Sequence, residues 1–102
     1  MLTVIAEMCI KPGRRAAVLK AIEALTPTVL AEEGCGSYQT LIDHKAQVPW
    51  KQHSPDSIFM VEHWESLRHL EKHQQAEHME HHRTAIKHDV VDVKIFVLEP
   101  AF

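Results

Sequence analysis

The chain lacks several features that would have narrowed its function at once. No cluster of lysine or arginine exceeds two adjacent residues, and the formal net charge is −3. That argues against nucleic acid or an anionic membrane as the main partner. No apolar run approaches the length of a membrane span, so no membrane insertion is expected. The opening MLTVIAEMCI has neither a basic leader nor a small-residue cleavage site, so it does not read as a secretion signal. There are only two cysteines, Cys9 and Cys35, and no C-x-x-C pair. Reduced thiols in a cytoplasmic protein are therefore expected, each behaving as a small hydrophobe. Internal repeats, low-complexity tracts and domain linkers are missing too. With 102 residues, 45% of them hydrophobic, the chain reads as a single domain over residues 1–102 with one core, to which a partner chain would add.

What is present has a clear order. Leu2 to Ile10 alternates and is rich in branched residues, as a strand does, and Pro12-Gly13 ends it. Arg14 to Glu32 reads as helix, with Val18, Ile22, Leu25 and Val29 in one apolar stripe. Pro27 either kinks this helix or restarts it with Thr26 as N-cap, and Gly34 stops it. Ser37 to Asp43 suggests a second strand. The stretch HKAQVPWKQHSPD, residues 44 to 56, is a loop long enough for a binding role. Its Trp50 is an apolar anchor for a pocket or a partner. SIFMVEHW, Ser57 to Trp64, is a third strand. Ser66 caps a helical region running to about Lys87, and VVDVKIFVL, Val90 to Leu98, is a fourth strand.

The order β-α-β-β-α-β is the ferredoxin-like pattern, an α+β fold with a four-stranded antiparallel sheet and its helices on one face. Strands three and four are nearly continuous apolar runs, which predicts burial on both faces. Two helices cover only one face, so a second copy of the chain is the economical cover for the other. A homodimer is the expectation.

The segment HLEKHQQAEHMEHHR, residues 69 to 83, holds five of the nine histidines. His69/His73 and His78/His82 are i, i+4 pairs, each able to share a helix face. No H-E-x-x-H motif is present, since glutamate stands third rather than second in both HLEKH and HMEHH. The pattern predicts adventitious binding of nickel or zinc rather than a dedicated metal centre. Helical phase divides the segment further. Leu67 and Leu70 define one apolar face and Met79 and Ile86 another, offset by more than a quarter turn, so the helix is expected to break near Gln74 to Glu77. His73, His78 and His82 are the inward candidates, while His69 and His81 are expected to face solvent.

The spacing W-E-S-x-x-x-L-x-x-H-x-x-x-x-H-M, Trp64 to Met79, resembles the helix signature of the antibiotic biosynthesis monooxygenase superfamily. MLTVIAE, Pro12-Gly13, PTVLAEEGC (27 to 35) and SPDSI (54 to 58) extend the resemblance over nearly all of the chain, toward its small quinol-oxidising members. The resemblance implies a dimeric, α/β-barrel-like assembly. It also implies a cofactor-independent monooxygenase that oxidises hydroquinones or related aromatic phenols with O2. Such chemistry works without metal or flavin only if the deprotonated substrate is itself the electron donor to O2. The protein must then supply a dry cavity and a base. Proton transfer from a phenol to an unperturbed histidine is uphill by about 5 kcal/mol, much of which the resulting ion pair recovers in a low dielectric.

By motif position, His73 and His78 are the expected catalytic pair. Tyr38, Trp64, Met79, His82 and Met8 are the expected substrate-binding residues, with no metal or other cofactor. Met8, His73 and Arg83 fall where haem-degrading relatives carry Asn, Trp and an axial His, which argues against that reaction. The remaining alternatives are a non-catalytic binder of quinones or other small aromatics, and an isomerase of a small signalling molecule. Phosphorylated molecules of that kind favour a cationic pocket, for which Arg83 is the only nearby arginine on the second helical segment.

Overall fold

A computed structural model describes residues 1–102. β1 (Leu2–Ile10) buries Val4, Ala6 and Ile10 through its alternation. Gly13 then turns the chain with φ +82°, a conformation that a side chain resists. α1 (Arg15–Leu30) presses Val18, Ile22 and Val29 onto the sheet. Pro27 does not restart this helix: α1 runs through it unbroken. Thr26 is not an N-cap. Its hydroxyl donates to the Ile22 carbonyl at 2.7 Å, from within the helix, and the Pro27 carbonyl still receives the Ala31 N–H.

Gly34 follows with φ +81°, and a Cβ there would collide with the His69 ring. Both conformation and space therefore demand glycine. β2 spans Cys35–Leu41, two residues earlier than the alternation suggested. The shift has two causes. Cys35 already pairs with Trp64 in the ladder, and Asp43 is drawn into the following loop, where it accepts from the Ser54 N–H at 3.0 Å and pairs with Lys51 at 2.7 Å. Trp50, in that loop, is 85% exposed and covers no pocket of this chain.

β3 (Ser57–Trp64) has no exposed residue. Ser66 caps α2 (Leu67–Gln75), its hydroxyl accepting the His69 N–H. Ala76, at φ −62° and ψ 141°, breaks the helix, and α3 (Glu77–Ile86) sets off in a new direction. The break lies where the phase offset required it. The apolar face of α2 is not Leu67/Leu70, however. Leu67 sits in the first turn, 55% exposed, and the buried pair is Leu70 with His73.

β4 (Val90–Leu98) completes an antiparallel sheet of order β2-β3-β1-β4. Within this chain the expectation of burial on both faces fails for β4. Val91, Val93, Ile95, Phe96, Val97 and Leu98 are all 44–62% exposed. The reason is position: β4 is an edge strand paired only with β1, beyond the cover that the helices give β1 and β3.

Candidate functional site

A cavity of about 470 Å³ lies between α3, the end of α2 and the helix-facing side of the sheet. Its apolar wall includes Ala6 and Met8 from β1, Met60 from β3, Met79 and Ile86 from α3, and Val93 and Ile95 from β4. Its polar lining includes Glu62 and His73, together with Gln74, His82, Arg83 and Lys87 from the α2–α3 side.

His73 is 1% exposed. The α2 stripe carries it under the sheet face, where its ring lies 4.5 Å from Trp64 at 34° and edge-on to Tyr38 at 5.9 Å. Its Nδ1 contacts Glu32 Oε2 at 2.7 Å. The same oxygen contacts His78 Nε2 at 2.9 Å. A carboxylate only accepts, so both imidazoles donate to Glu32. That assigns the proton of neutral His73 to Nδ1 and leaves its Nε2 lone pair free. On that side, Glu62 Oε1 stands 3.9 Å from Nε2, held by the Trp64 indole N–H at 2.9 Å.

The environment shifts several protonation equilibria. Burial, then the charges of Glu62 and Glu32, pushes the Tyr38 phenol far up, so it stays a hydroxyl. Burial raises Glu62, against the opposing pull of the Trp64 hydrogen bond and His73. Burial, then Arg83, lowers His82, favouring its neutral form.

Six of the residues singled out by sequence line the cavity: Met8, Tyr38, His73, Met79, His82 and Arg83. Trp64 and His78 do not. Trp64 is fully buried beneath His73, and His78, with its side chain 30% exposed, holds Glu32 from the outer side. His69 is not solvent-facing as expected. Its side chain is 17% exposed, packed on Gly34 with Nδ1 2.7 Å from the Ser66 hydroxyl. His81 is exposed. Arg83 donates to the Gln74 carbonyl at 2.7 Å, stapling α3 to α2.

Two glutamates escaped the sequence reading. Glu62 is the one charged residue of its type in SIFMVEHW, and it falls on the inward phase with Ile58, Met60 and Trp64. That was a usable signal. Glu32 carried none beyond its place in PTVLAEEGC.

The i, i+4 histidine pairs do not come together as a donor set. Instead, Glu32, His73 and His78 place one donor atom each within 4.8 Å of one another. This set is chemically able to hold a transition-metal cation, but two N–H···O contacts already satisfy it without one.

A ferredoxin-like sheet roofed by three helices, with an open-sided, largely apolar cavity beside a buried imidazole and its carboxylate partners, defines a class of small proteins able to hold an apolar ligand against an acid–base group. The sequence profile described as antibiotic biosynthesis monooxygenase matches residues 1–85, and the chain belongs to that family. It is 47% identical over 102 residues, covering 98% of each chain, to the Escherichia coli K12 protein named Probable quinol monooxygenase YgiN. A crystal structure from Pseudomonas aeruginosa superimposes with TM-score 0.82 at 29% identity, covering 99% of this chain and 94% of that one. A structure from Mycobacterium tuberculosis gives 0.79 at 22% identity, covering 99% and 95%, which speaks to fold alone.

Proposed function

We propose that this protein is a cofactor-independent quinol monooxygenase, oxidising hydroquinones or related aromatic phenols with O2. The observation that carries the reading is the free Nε2 of a fully buried histidine beside an apolar cavity of about 470 Å³. That volume lies in the range of small-molecule sites, and the 47% identity to a protein named as a quinol monooxygenase points to the same substrate class.

His73 takes the phenolic proton, and the apolar walls exclude water from the radical pair and peroxide that follow. Glu32 fixes the tautomer of His73 and balances its charge once protonated. The substrate supplies the electrons, so the reaction draws on no metal or flavin. Met8, Tyr38, Met79 and His82 contact the ring from the cavity wall, Trp64 supports His73 from beneath, and His78 acts through Glu32.

The working form we propose is a cytoplasmic homodimer. The apolar residues of β4 stand open on an edge strand, which invites pairing or cover by another chain. Val93 and Ile95 belong to both that strand and the cavity wall, so a second copy would also close the site. The two free cysteines, Cys9 and Cys35, suit a reducing compartment.

The test is oxygen uptake and product mass with a panel of reduced naphthoquinones and benzoquinones, on chelator-treated protein of measured metal content. Uptake above autoxidation with formation of a hydroxylated quinone is expected. Tight binding of quinones with uptake at the no-enzyme rate would turn the reading to a non-catalytic binder. Activity lost on chelation and regained with metal would assign the work to Glu32, His73 and His78 as a metal centre.

A further inference from the structure

Glu62 is a carboxyl group facing an apolar cavity, and the reaction as proposed so far does not use it. A side chain of this kind is rarely buried without purpose. It is 6% exposed, lines the cavity, and is aimed by the Trp64 indole N–H at 2.9 Å. Its Oε1 stands 3.9 Å from His73 Nε2, too far for a direct hydrogen bond. A hydroxyl oxygen placed about 2.8 Å from each atom fits the gap, donating to Nε2 and accepting from a protonated carboxyl.

We propose that Glu62 is the catalytic acid of this site, working opposite His73 as base. The inference rests on the quinol monooxygenase reading. Burial holds the Glu62 carboxyl above the usual carboxylate range and so favours the protonated form that can donate.

The proton inventory then closes within the cavity. His73 takes the phenolic proton at Nε2. The quinolate passes one electron to O2, and the resulting superoxide and semiquinone combine at a hydrogen-bearing ring carbon, forming a C–O bond. Glu62 gives its proton to the terminal peroxide oxygen. The O–O bond breaks as the ring carbon's hydrogen leaves as a proton to the Glu62 carboxylate. The electron pair of that C–H bond becomes the second bond of the new carbonyl, and the departing hydroxide takes the proton from His73. One hydroquinone and one O2 become one hydroxyquinone and one water, with both side chains reset. Without the acid, the peroxide leaves instead, and the same reactants give quinone and hydrogen peroxide.

The test is the fate of oxygen in Glu62→Gln, whose amide oxygen still accepts from Trp64. The expected result is hydroxyquinone formation lowered about 10²-fold, with most of the oxygen consumed recovered as hydrogen peroxide. Affinity for a hydroxyquinone product is expected to stay within a few-fold of wild type. Glu62→Asp, which keeps an acid in the cavity, is expected to restore part of the hydroxylation. Glu62→Gln with the wild-type rate and product ratio would overturn the role of Glu62 alone. So would Glu62→Asp and Glu62→Gln releasing peroxide equally, since the loss would then be structural. Wild-type protein that forms no hydroxyquinone would overturn the oxygenase reading and this inference with it.

Discussion

The His73 cluster and the β4 strand depart from the rule of apolar inside and polar outside in opposite directions. The His73 imidazole is buried against Trp64 and Tyr38, with the buried Glu62 on one side and the half-buried Glu32 on the other. Along β4, six large apolar residues stand 44–62% exposed. Scattered surface hydrophobes carry little information, whereas buried polar groups and contiguous apolar exposure do. The two regions also differ in how their anomaly is resolved. The buried cluster is held within one chain: Glu32 accepts from His73 and His78, and Glu62 accepts from the Trp64 indole N–H. The strand has no such internal answer, which is why a second copy is the natural cover. In the proposal one region holds the chemistry and the other the assembly, and the two meet at the cavity wall through Val93 and Ile95.

The comparison can be broken from either side. The largest effect is expected from His73→Ala. Hydroxylation should fall by about 10² to 10⁴-fold if this imidazole is the base, measured as kcat with a saturating quinol. A variant that keeps more than a tenth of the rate would strip the buried cluster of its chemical role. Next comes Phe96→Glu on β4. A charge placed in the core of the proposed interface should weaken the proposed dimer by about 3 kcal/mol, roughly a hundredfold in Kd, as read by sedimentation. Wild-type protein that sediments as a monomer at high concentration would leave the apolar strand without the explanation offered here.

Trp64→Phe probes the support of the cluster. It removes the N–H that Glu62 accepts and leaves a void beneath His73, so a loss of about 1–3 kcal/mol is expected in urea unfolding. The smallest effect belongs to a surface pair that sets the baseline for both regions, Arg14 with Asp89 at 2.9 Å. The Arg14 hydrogen bond holds the Asp89 carboxyl below its usual range. Its stabilisation is therefore present above the ordinary aspartate value and lost as pH falls through the lower folded value. Asp89→Asn should lower Tm slightly at pH 7 and not at all near pH 2. An equal shift at both would mean the pair acts through packing.

Some features of this chain are local enough to be legible in the sequence. The break at Ala76 was legible because helical phase is a local property, and Leu70 and Met79 cannot share one straight face. The N-cap at Ser66 was legible for the same reason, as a short-range hydrogen-bond pattern. Leu67 misled because a residue in the first turn of a helix has no neighbouring turn to press it inward. The exposure of β4 was anticipated for the face away from the helices and missed for the face toward them, because an apolar run announces that a surface is to be covered without saying how far the helices reach along the sheet. His69 was missed because its neighbour is Gly34, brought close only when Glu65 donates to the Gly34 carbonyl as β2 pairs with β3.

The sequence by itself determined the order of elements and the helix break, because periodicity and capping act over a few residues; the pairing of His73 with His78 came from the resemblance to the family. Only the tertiary structure decided what those histidines touch. Glu32 follows α1 and Glu62 lies within β3, neither of them on the helix that carries His73. The antiparallel pairing of β2 with β3 and the packing of α2 beneath them bring both carboxylates to one imidazole, at 2.7 Å on one nitrogen and 3.9 Å on the other. Electrostatic and hydrogen-bond interactions depend on distances of a few ångströms in space, and no spacing along the chain encodes those directly.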